Sequence, residues 1–111
     1  MTDLEVMLMD VPLQTSPRMR RLQEMADRFR MLSEPSRLRI LDAIGEDEMN
    51  VQDICDRTGF KQANVSRHLR MLRDIKAIAC RQNGHFHYYR VIDPIVLRCW
   101  HCTKAYCDEA E

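Results

Sequence analysis

The sequence predicts a mainly α-helical fold that carries one small β-hairpin. Three observations predict it. Apolar residues recur at helical spacing through most of the chain. The period changes between Ile78 and Val91, where Phe86, Tyr88 and Tyr89 suit a sheet and Asn83-Gly84 suits a hairpin turn. Between Val51 and Leu72, two short helical patterns flank a turn at Thr58-Gly59-Phe60.

That last stretch organises the rest. Its first pattern carries Val51, Ile54 and Cys55, and Gly59 can take the left-handed conformation that stops a helix. Its second repeats Val65, Leu69 and Leu72 on one face and offers Gln62, Asn64, Ser66, Arg67, His68 and Arg70 on the other. Two helices joined by a tight glycine-containing turn form a helix-turn-helix, whose second helix can lie in a DNA major groove. An ordinary antiparallel helix pair would share the spacing. The polar face argues against it, because amides, a hydroxyl and arginines reach base edges and no glutamate intervenes.

The chain has 111 residues and a formal net charge of zero. That length suits one domain with a modest core, and a helical protein of this size often shares its core with a partner. The charge is unevenly spread. From Arg57 to Arg90 there are eight Lys or Arg against one acid, Asp74. Such a basic segment is what phosphate binding needs. No run is long enough to span a membrane and no signal peptide opens the chain, so a cytoplasmic protein is expected. Five cysteines are then expected to be reduced, buried or metal-binding rather than disulfide-linked.

Residues 1–15 form an acidic N-terminal arm with apolar Leu4, Val6, Met7, Leu8 and Met9, and residues 16–111 form the domain proper. Ser16-Pro17 starts the first helix, which carries Leu22, Met25, Ala26, Phe29 and Leu32. Ser33 with Pro35 starts the second, which buries Leu38, Leu41 and Ile44 and stops at Gly45. Asn50 caps the third, and the fourth runs to about Ile75. A two-stranded wing follows, with Arg81 and Arg90 near its base and His85 and His87 on one side. Asp93-Pro94 opens the last helix, to about Glu109. Two apolar stripes run along it, Ile95, Cys99, Cys102, Tyr106 and Val96, Trp100, Thr103, Cys107. So wide an apolar arc predicts burial on two sides, one against the helix's own core and one against a second copy.

This order is that of a winged helix-turn-helix. Phe29 to Leu41 (FRMLSEPSRLRIL) resembles the second-helix signature of the ArsR/SmtB family of metal- and thiol-responsive repressors. Asn64 to Leu69 (NVSRHL) resembles its recognition helix, and Gly84 with Tyr88-Tyr89-Arg90 its wing. The resemblance covers roughly residues 18–109. It implies a homodimer through the first and last helices, bound to an imperfect inverted repeat in double-stranded DNA and released by an inducer.

The family's inducer sites carry over only in part. Asn50 and Gln52 stand where its third-helix site has cysteines. In its last-helix zinc signature Asp93 and Glu109 match, but Ile95 and Tyr106 replace the histidines, and carboxylates alone make a poor zinc site. The second helix also lacks the cysteine that sulfide-responsive members use. Cys99, Cys102 and Cys107 remain, and thiolates suit a soft metal or metalloid such as As(III) or Cd(II). Cys99 and Cys102 are neighbours on the helix, but Cys107 lies about 12 Å beyond Cys99. One ion on all three needs the helix end to unwind or a thiolate from a second subunit. Cys55 and Cys80 are expected to be structural.

The expected protein is therefore a homodimeric DNA-binding repressor, not an enzyme, needing no cofactor to bind DNA. Gln62, Asn64, Ser66, Arg67, His68 and Arg70 contact bases and phosphates, with Arg81 and Arg90 on the flanking backbone. Alternatives are the same fold sensing reactive sulfur or oxidants by cysteine oxidation, and a protein-interaction module without DNA binding. A Cys99-Trp-His-Cys102 thiol oxidoreductase is disfavoured, because that motif belongs at a helix N-terminus after a strand.

Overall fold

The computed structural model describes residues 16–111. The N-terminal arm expected over residues 1–15 lies outside them. The chain divides into two compact units, with the boundary after Arg30.

Helix α1 (Pro17–Leu32) contains that boundary. The Ser16 hydroxyl caps it, accepting the Met19 N–H at 3.0 Å, and Pro17 takes the first helical position where no N–H is needed. Leu22 and Phe29 on this helix are exposed.

The second unit holds the core. Helix α2 (Pro35–Ile44) buries Ile40, Leu41, Ala43 and Ile44. Its cap is Glu34 and not the expected Ser33. The Glu34 carboxylate accepts the Arg37 N–H at 3.1 Å, because Pro35 at the first helical position places residue 34 at the cap. A short strand, β1 (Glu48–Asn50), leads directly into α3 (Val51–Thr58), whose cap Asn50 accepts the Asp53 N–H at 2.8 Å. Gly59 closes α3 in the left-handed region at φ 75°, and α4 (Gln62–Asp74) follows. Val65, Leu69 and Leu72 of α4 are fully buried against Ile40, Ile44 and Ile54.

Strands β2 (Ile78–Asn83) and β3 (Phe86–Val91) form the hairpin, antiparallel with Cys80 opposite Tyr89. The wing is not two-stranded as expected. β1 joins it on the far side of β3, giving the order β1-β3-β2 with Met49 opposite Tyr89. Three residues between two helix signals carry too little period to announce a strand. The connecting residues are also one place on from the expected dipeptide. Asn83 still pairs with Phe86, and Gly84-His85 turn the chain with Gly84 at φ 63°. His85 therefore sits in the turn and only His87 on the strand.

Helix α5 (Pro94–Ala110) is capped by Asp93, which accepts the Ile95 N–H at 2.9 Å. Val96 is its one buried side chain, with Cys99, Trp100 and Thr103 half-buried on the same side against Leu38 and Leu41. Cys102, Tyr106 and Cys107 are exposed. No described helix is long and apolar enough to cross a membrane.

Candidate nucleic-acid interface

The candidate DNA-reading residues lie on α4, from Gln62 to Arg70. The Thr58-Gly59-Phe60 turn fixes its direction. The Thr58 hydroxyl donates to the Ile54 carbonyl at 2.7 Å and accepts the Phe60 N–H at 3.2 Å. With Val65, Leu69 and Leu72 pinned in the core, helical geometry turns Gln62, Ser66, Arg67 and Arg70 outward, and all four are exposed. Asn64 is half-buried beside them. Its amide oxygen accepts from Arg67 Nη2 at 2.9 Å, which holds the guanidinium over the helix surface. Arginine and amide side chains are the groups that read guanine and adenine edges.

His68 does not belong to that face. It is 4 % exposed and contacts Glu34 of α2, with Nε2 3.9 Å from Oε2. One helical step past Arg67 rotates it into the core beside Leu69. Burial pushes its pKa down, helped by Arg67 and Arg37 and opposed by Glu34.

The wing supplies Arg90, which is exposed on β3. Arg81 is exposed too, but it is ion-paired to Glu48, with Nε 3.2 Å from Oε2. Sequence reasoning missed that partner along with β1. It also missed a polar groove of about 350 Å³ lined by Ser66, Arg70, Arg73, Asp74 and Tyr89. The spacing of Ser66, Arg70 and Arg73 at i, i+4, i+7 was the available signal.

The cysteines are dispersed. Cys55 is half-buried in α3, and burial raises its pKa, with a lesser push from Asp56. Cys80 Sγ lies 3.7 Å from His87 Nδ1. Burial also pushes the Cys99 thiol up, with Cys102 and Asp93 adding to it. Among the described residues, no group of three or more His, Cys, Asp or Glu is placed to hold a metal ion.

Three α-helices, a helix-turn-helix and a three-stranded wing define a winged-helix DNA-binding protein. Residues 34–75 match the family described as bacterial regulatory protein, arsR family. The chain is 33% identical over 69 residues to the arsenical resistance operon repressor of Staphylococcus xylosus, covering 62% of this chain and 66% of that one. It is 30% identical over 89 residues to a transcriptional repressor SmtB homolog of Synechocystis, covering 80% of this chain and 67% of that one. It thus spans about two thirds of the length of these curated relatives. Among solved structures it is similar to the homodimeric winged helix-turn-helix DNA-binding domain Mb0332 from Mycobacterium bovis. The TM-score is 0.73 at 27% identity, over 87% of this chain and 90% of that one. The chain belongs to the ArsR family of transcriptional repressors, which are DNA-binding regulators and not enzymes.

Proposed function

We propose that the protein is a homodimeric repressor that reads an inverted repeat with α4 and leaves it when a thiophilic ligand engages the cysteines of α5. The observation that carries DNA reading is the braced Asn64–Arg67 pair on an α4 face otherwise made of exposed Gln62, Ser66 and Arg70. Arg90 reaches the flanking backbone, and Arg81 does so once it parts from Glu48. Exposed apolar residues on α1 (Leu22, Phe29) and α5 (Tyr106, 78 % exposed) support a second copy as partner, as does the homodimeric Mb0332 domain.

The inducer is a soft ion, As(III) or Cd(II) by thiolate preference. The arsenical repressor of Staphylococcus xylosus supports that class. Cys99 and Cys102 are neighbours and Cys107 lies two turns on, so the third thiolate comes from an unwound helix end or from the second subunit. Spontaneous oxidation is the weaker route, because the raised Cys99 pKa disfavours its thiolate. An ion displaces the protons itself.

The test is a fluorescence-anisotropy titration of reduced protein on DNA from upstream of its own gene. It is repeated with As(III), Cd(II), Zn(II), Cu(I) and polysulfide, with the oligomeric state read by sedimentation. Dimeric binding released by a soft ion supports the proposal. Release by polysulfide alone replaces the inducer class, and a monomer that ignores DNA contradicts the whole.

A further inference from the structure

We propose that the groove between α4 and β3 seats one backbone phosphate of the bound duplex, held by Arg73 and Tyr89 together with Ser66 and Arg70. The inference rests on the DNA-reading role of α4 and adds Arg73 and Tyr89 to it, with a defined seat for one phosphate.

Ser66, Arg70 and Arg73 form one stripe along α4, and Tyr89 faces them from the middle strand of the sheet. The Tyr89 ring packs against the core between its cross-strand partners Met49 and Cys80. Its hydroxyl is placed by that packing and by hydrogen bonds with Cys80 and Arg73, while Arg70 keeps its reach. The phenol stays a donor at neutral pH, because burial and the neighbouring Cys80 push its pKa up, and Arg73 only partly offsets them. Two guanidiniums, a phenol and a hydroxyl make a donor-rich set that matches phosphate oxygens. At about 350 Å³ the groove is larger than a phosphate and open, which suits a strand running through it rather than a captive ion.

Its place on α4 matches the duplex. Asn64 and Arg73 are nine residues apart, about 13.5 Å along an ideal helix. The major groove is about 12 Å wide. With the N-terminal residues of α4 at base edges, Arg73 stands at the other end of the helix, clear of the bases and free to meet the backbone. Asp74 is the one acid in the lining and opposes the anion.

The experiment titrates the full chain against a fluorescein-labelled duplex from upstream of its gene over a range of salt. Arg73→Gln should weaken binding about tenfold and flatten the salt slope by about 0.9, one phosphate's worth. Tyr89→Phe, which keeps the ring, should weaken it about threefold. Asp74→Asn should tighten it, and Arg98→Gln on α5 should leave it unchanged. Neutral methylphosphonates placed one at a time along the duplex should reveal one position that weakens the wild type but not Arg73→Gln. Inorganic phosphate at matched ionic strength should compete no better than chloride. Specific competition would make the groove a free-anion site and overturn the proposal. Wild-type affinity and slope in both Arg73→Gln and Tyr89→Phe would overturn the seat alone. A wild type that binds no duplex at low salt would overturn the DNA reading as well.

Discussion

Arg81 on β2 and Glu48 on β1 are ion-paired across the strand that separates them, with the Arg81 guanidinium 4.9 Å above the Tyr88 ring of β3. The Arg81 hydrogen bond holds the Glu48 carboxyl below its usual pKa. The arginine thus has a partner before DNA arrives, and must leave it to neutralise a phosphate. Glu48→Gln should therefore bind DNA more tightly and with a steeper salt dependence, read by anisotropy. Unchanged affinity would mean that Arg81 stays with the sheet.

His68 gives the fold an acid sensitivity. Its Nδ1 is buried without a hydrogen-bond partner among the described residues. An unfolded histidine titrates near 6.5, and the folded one is held lower by burial, by Arg67 and by Arg37 against Glu34. Below that pH the unfolded chain takes up a proton that the folded chain refuses. The contribution is full above about pH 6.5 and is lost as pH falls toward the folded value. Thermal melts should show Tm dropping from about pH 7.5 to about pH 5.5, and dropping less in His68→Leu. Equal drops in both would contradict this account.

Gly45 ends α2 at φ 60°, and a Cβ there would lie 3.3 Å from Trp100 Cζ2. Trp100 is fixed by its Nε1 hydrogen bond to Asp42 at 3.0 Å. Gly45→Ala should cost about 1–3 kcal/mol from the backbone alone, with crowding of the indole in addition. Urea unfolding monitored by the single tryptophan reads it directly. A loss no larger than the backbone cost would show that α5 shifts freely on α2, and a variant as stable as wild type would contradict both terms.

The cysteines separate sensing from packing. Cys102→Ser should bind DNA normally yet fail to release it with As(III) or Cd(II). Cys107→Ser should release it incompletely, and Cys55→Ser and Cys80→Ser should respond like wild type. A Cys99→Ser, Cys102→Ser double variant that still responds fully to every thiophilic ligand would remove the sensor from α5.

Much of this architecture was legible because core and period coincide. Val65, Leu69 and Leu72 announce α4 at the spacing at which they are buried, and Gly59 and Asn50 act locally as their residue types dictate. What was not legible depends on residues distant in sequence. β1 exists because β3 pairs with it, and Arg81 is engaged because β1 brings Glu48 near. His68 reads as a polar-face residue until the position of α2 places Glu34 beside it. The groove needs Tyr89 from β3 to close a stripe that Ser66, Arg70 and Arg73 leave open.

The most direct test of the account compares Arg67→Ala with Arg28→Ala. Arg67 is exposed on α4 and braced by Asn64, while Arg28 lies on α1 with its guanidinium on the Glu24 carbonyl at 3.0 Å. Measured by anisotropy on the same duplex, Arg67→Ala should lose about 1–3 kcal/mol of binding and Arg28→Ala almost none. Equal losses in the two would contradict the assignment of α4 as the DNA-reading helix.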